Sequence, residues 1–155
     1  GWMFFNYFKD ENRTSKIFIG RQMFEEYPSL TDNDLKHIIV AHEGRHVEVH
    51  ALGLAYLPKQ ELISGINNNS IRIPILYEVG EYDANGHALL RIFSGEFKVS
   101  ENYFNMTKSK YVINDIKLKV ASKKALPLER ELILNAQAKM NSFPELKAIQ
   151  DSIQK

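Results

Sequence analysis

An α+β fold is the expectation for this chain, and three observations lead to it. Residues 2–8 and 16–20 are short runs dense in aromatic and β-branched side chains, the composition of strands. Residues 31–52 and 74–93 carry apolar side chains at helical spacing between start and stop signals. Beyond Ser100 the chain reads as helix to its end. At 155 residues there is enough chain for one domain with its own core and too little for two. The expected plan is a core over about residues 16–95 (a small sheet, two helices) and a helical C-terminal extension over about residues 100–155.

In chain order, a first strand over residues 2–8 is followed by a polar turn at 10–15. A second strand, Lys16-Ile17-Phe18-Ile19-Gly20, comes next, then a connector at 22–27, helical or extended, before Pro28. Thr31-Asp32-Asn33-Asp34 supplies an N-cap threonine with an acid three residues on, as a helix start does. Leu35, Ile38, Ile39, His42, His46 and Val49 then repeat along one helical face. Gly53 and Pro58 mark the stop. Gly65 and the run Asn67-Asn68-Asn69-Ser70 predict a long loop over residues 58–73. Pro74 fits the first turn of a second helix ending at Ser94-Gly95. The lysines at 108, 110, 117, 119, 123 and 124, interleaved with Ile113, Ile116 and Val120, read as a solvated helix face. Residues 127–140 and the segment opening at Ser142-Phe143-Pro144-Glu145 predict two final helices.

Composition narrows the function. Twenty basic and nineteen acidic side chains leave a net charge near +1, which argues against a dedicated nucleic-acid surface. No run reaches the length of a membrane span. The expectation is therefore a soluble protein, whether cytoplasmic or secreted and delivered as an effector or toxin. With no cysteine, any metal site must use His, Asp or Glu.

The sequence His42-Glu43-Gly44-Arg45-His46 carries the chemistry. On a helix, residues four apart share a side, offset by about 40° and about 6 Å of rise. Two imidazoles can then hold one ion while Glu43 reaches a water on it, the arrangement of a zinc-dependent hydrolase. With five histidines in 155 residues, a chance HExxH arises in on the order of one chain in a hundred. His50 extends the series but lies about 12 Å along the helix from His42, too far to share the ion.

Catalytic zinc takes three protein ligands, and the third is sought in Glu78-Val79-Gly80-Glu81-Tyr82-Asp83-Ala84-Asn85. Here the chain resembles the gluzincin metallopeptidases, whose second helix presents a glutamate within Glu-x-(Glu/Asp)-Ala-(Asp/Asn); Glu81-Tyr82-Asp83-Ala84-Asn85 fits. The likeness covers roughly residues 16–93. It implies a minimal zincin-like core, Glu81 as third zinc ligand, and Asn85 hydrogen-bonded to a ligand histidine. Glu78 and Asp83 stay open as rival ligands.

The expected activity is zinc-dependent endoproteolysis of a soluble protein substrate, with one Zn2+ ion, Glu43 as general base, and Tyr82 and His87 as candidate oxyanion donors. Tyr77 and Arg91 lie on the same helix. The same resemblance implies that strand 16–20 is an edge above the metal that pairs with an extended substrate. The rival expectations are a non-catalytic zincin-like binding module or regulatory metalloprotein, and a chain whose lysine-bearing tail is the interface.

Overall fold

The computed structural model describes residues 3–5, 17–52 and 55–153. The expected turn at 10–15 and the remainder of the first strand lie outside them.

The chain is helical, and the α+β expectation is corrected. Strand pairing among the described residues is one antiparallel pair, β1 (Met3–Phe5) and β2 (Ile17–Ile19), in the register Met3 to Ile19, Phe4 to Phe18 and Phe5 to Ile17. Two strands of three residues do not make a layer on which helices can pack. The aromatic and β-branched runs predict a sheet, but among the described residues only this three-residue pair forms.

After β2 comes α1 (Arg21–Glu26), where the connector was expected. The motif segment begins as α2 (Asp32–His37), widens into a π-helical stretch (Ile38–Glu43) and continues as α3 (Gly44–Leu52). Thr31 caps it as its sequence predicts. Its hydroxyl accepts from Asp34 N–H at 3.1 Å, and Asp34 accepts from Thr31 N–H at 3.0 Å. Asp34 also accepts from Ser100 N–H at 2.8 Å and Ser100 Oγ–H at 2.7 Å, tying this helix to the start of α6 (Glu101–Ser122).

The expected loop over 58–73 is largely a helix, α4 (Lys59–Asn67). Gly65 is buried, and a Cβ there would lie 2.7 Å from Leu128 Cδ2 and 2.8 Å from Ile71 Cδ1. The glycine is a close-packing contact within the helix, not a loop signal. The asparagines form its stop: Asn68 is the C-cap and Asn69 adopts a left-handed φ of 61° that asparagine tolerates.

The long helix α5 (Ile73–Phe93) is the centre of the fold, packing against the π-helical stretch, α3, α6, α7 (Pro127–Asn141) and α8 (Pro144–Ile153). Val79, Leu89, Leu118, Leu132, Met140 and Leu146 form the heart of one continuous core, so α6–α8 share it with α4 and α5. Gly86 lets these helices close up: a Cβ there would sit 2.7 Å from Met140 Sδ and 3.2 Å from Tyr111 Cε2.

Glu129 joins the starts of two helices. Its carboxylate accepts from Arg72 N–H (2.8 Å), Leu126 N–H (2.9 Å) and the Arg72 guanidinium (2.8 and 3.0 Å) while fully buried. The Arg72 contact, against the opposing effect of burial, lowers its pKa from 4.5 to about 2. A depressed acid stabilises the fold above its unfolded pKa and loses that contribution as pH falls through the folded value. Glu129→Gln is expected to cost about 2 kcal/mol at neutral pH. In chemical denaturation the gap between variant and parent should close as pH drops from 4.5 toward about 2.

Candidate metal centre

The two motif histidines reach the site from either side of a change in helical pitch. His42 and Glu43 belong to the π-helical stretch, His46 to α3. Wide turns of this kind concentrate at functional positions because they redirect side chains at a cost in hydrogen bonding. Gly44 N–H, which an α-helix would give to the Val40 carbonyl, goes to Ile39 instead. The Val40 carbonyl accepts from Arg91 Nη1 at 3.3 Å. Arg91 is itself held by Glu96 and lies over the Phe97 ring, so it braces the motif helix.

His37 makes a second brace. It is fully buried, with Nε2 2.7 Å from the Ala88 carbonyl and Nδ1 2.5 Å from the Tyr103 hydroxyl. A neutral ring satisfies both, donating from Nε2 and accepting at Nδ1. Burial lowers its pKa, in keeping with that state. The motif helix is thus pinned to α5 and α6 one turn ahead of the site. The sequence reading did not single out His37; its signal was a histidine embedded in a helix otherwise leading into apolar residues.

Glu81, on α5, faces both histidines. His46 Nε2 lies 3.0 Å from Glu81 Oε1, and His42 Nε2 lies 3.5 Å from Glu81 Oε2. The two imidazoles meet edge to face with centroids 5.0 Å apart. His42, His46 and Glu81 form a group whose ligand atoms all lie within 4.8 Å of one another, able to hold a metal ion. Four ligands set tetrahedrally at zinc distances stand roughly 3.3 Å apart. The two histidine–carboxylate separations bracket that figure, and two imidazole nitrogens with a carboxylate are a donor set that suits a divalent ion of this kind. Burial opposes ionisation of Glu81, but His42 and His46 outweigh it and hold the carboxyl well below the usual range. His46 is shifted the other way: burial would lower its pKa, and Glu81 overcomes this and raises it.

Glu43 stands at the rim of this group, Oε1 3.5 Å from His42 Nε2, with its side chain 10% exposed. Burial pushes its carboxyl up, against the pull of His42 and His46. Lys110, from α6, adds a smaller pull in the same direction, a contribution with no signal in the motif itself.

The rival ligands are elsewhere. Neither Glu78 nor Asp83 belongs to the group, and Glu78 keeps its buried Oε2 without a hydrogen-bond partner among the described residues. Asp83 instead takes the motif arginine. Arg45 Nε donates to Oδ2 at 2.8 Å and Nη2 to Oδ1 at 3.2 Å, with the Tyr56 hydroxyl donating to Oδ1 and His87 Nε2 at 3.5 Å. His87 therefore lines this buried cluster, its ring against Phe143. Tyr82 is fully buried, stacked on Tyr111 at 5.0 Å and accepting its hydroxyl hydrogen bond at 3.2 Å. The structure gives both candidate oxyanion donors other partners. Asn85 donates to Asn114 Oδ1 at 2.7 Å rather than to a ligand histidine. The side chain of His50 lies outside the described residues.

No family model, curated protein or solved structure matches the chain. No described helix is long and apolar enough to cross a membrane.

Proposed function

We propose that this chain is a zinc-dependent peptidase. The observation that carries the reading is the convergence of His42, His46 and Glu81 within 4.8 Å, with the buried carboxylate of Glu43 at its edge. Bound there, zinc would supply a Lewis acid, polarising the scissile carbonyl and acidifying water. The chain's own residues do the rest. His42 and His46 would hold the ion through their imidazole nitrogens, and Glu81 would bring the balancing negative charge. Glu43, its pKa raised by burial, accepts the proton of the attacking water and returns it to the departing amine. A binding module has no use for a carboxylate kept partly desolvated beside the ligands, which favours the enzyme.

Two measurements test this. His46→Ala and Glu81→Ala should each weaken zinc binding by more than about 100-fold in a chelator competition, since each removes a ligand outright. Wild-type affinity in either variant places the ion elsewhere. For activity, a peptide library incubated with zinc-loaded protein should yield cleavage products that are absent with Glu43→Gln.

A further inference from the structure

The outward face of α6 carries an inverted pattern. Its buried positions include Thr107 and Asp115, while Ile113, Ile116 and Val120 face solvent at 50%, 48% and 61% exposure. At about 100° per residue these three fall within roughly 60° of one another and form a ridge. Lys110, Lys117 and Lys124 follow on one side of it, and Lys123 on the other. No acidic residue shares this arc. Lys119, nearer the bundle, is held by Asp115 at 2.8 Å; the four ridge lysines are exposed and make no ion pair among the described residues. At the end of α6 the ridge meets a hollow of about 260 Å³ lined by Arg72, Pro74, Ile75, Ala121 and Lys124, again apolar with a cationic rim.

We infer that this ridge docks the protein on an anionic lipid bilayer. The inference does not depend on the peptidase reading. Charge complementarity supplies the first argument: a row of unpaired ammonium groups with no acid among them meets a negative surface. Composition supplies the second. Protein interfaces concentrate Trp, Tyr and Arg and shed Lys, whereas this face is chiefly aliphatic side chains and lysines, with Ser109 in its arc and Arg72 at the hollow. Shape supplies the third. From Ile113 to Val120 the ridge is the convex side of a single helix, which suits shallow insertion, with aliphatic groups entering the acyl boundary and lysine stems reaching back to the headgroups.

Co-sedimentation with vesicles tests it. The full chain should partition onto phosphatidylcholine vesicles containing about 30% phosphatidylserine, but not onto phosphatidylcholine alone. Binding should fall at least about tenfold between about 0.05 M and about 0.5 M salt. Ile116→Asp should weaken it about tenfold or more, and the combined change K117E, K123E and K124E by about 100-fold, at roughly fivefold or more per lysine. All these positions are exposed, and circular dichroism checks that helicity is kept. Equal binding to neutral vesicles, no binding to either, or wild-type binding by both variants overturns the inference. So does binding to a polyglutamate peptide in place of vesicles, which would mark an acidic protein as partner. A dimer in gel filtration that Ile116→Asp dissolves would assign the ridge to a second copy instead.

Discussion

Glu43→Gln should lower peptide hydrolysis by about two to four orders of magnitude while zinc content and helicity stay at the parent level. The amide keeps the size of the carboxylate and leaves His42, His46 and Glu81 untouched, so metal binding has no reason to fail. What it loses is basicity at a position where burial raises it. Burial shifts the Glu43 carboxyl upward and the neighbouring imidazoles restrain the shift, which makes it a stronger base than an exposed glutamate. The variant must be compared at equal zinc occupancy, with cleavage counted by mass spectrometry. Undiminished turnover in Glu43→Gln would remove this residue from the reaction. Loss of zinc together with turnover would make it a structural member of the site.

The two histidines were legible in the sequence because four-residue spacing on a helix puts them on one side. Glu81 was legible only through the resemblance carried by Glu81-Tyr82-Asp83-Ala84-Asn85, with Glu78 and Asp83 left open beside it. The environment of the motif was not legible in the same way. Leu35, Ile38 and Ile39 mark the expected apolar face, yet each is only half-buried and Val40 is 47% exposed. The positions driven deepest are Asp34, His37 and Ala41. Two of these are polar and survive burial because Thr31, Ser100, Tyr103 and the Ala88 carbonyl satisfy them. Hydrophobic periodicity ranks apolar residues and cannot foresee that a histidine will find a tyrosine sixty-six residues away. The same blindness turned the α4 segment into a loop. Gly65 is a packing glycine only once Ile71 and Leu128 are known to press on it. The sheet failed for a different reason: strand composition is a local property, and a layer requires partners that the described chain does not provide.

Asp83→Ala should be the most destabilising single change near the site, about 3–5 kcal/mol. At this chain length that lowers the thermal midpoint by roughly 10 °C or more. The carboxylate is 1% exposed and is shared by Arg45, Tyr56 and His87, so its loss strands a partly buried guanidinium and a buried hydroxyl at once. Burial alone would raise its pKa; His87, Arg45 and Tyr56 reverse that and bring it from 3.8 to about 2. The sign follows from the depression: the stabilisation is complete above the unfolded value and fades as pH falls toward about 2. Parent and variant should therefore converge in acid. Arg45 precedes His46 directly, and Asp83 lies two residues from Glu81, so this clamp sets the spacing of the helices that carry two of the ligands. Zinc affinity should fall about 10–100-fold with Asp83→Ala, and less with Asp83→Asn, which preserves one oxygen acceptor. A loss of stability with unchanged affinity would show that the clamp holds the fold but does not align the ligands. Unchanged stability in Asp83→Ala would refute the clamp itself.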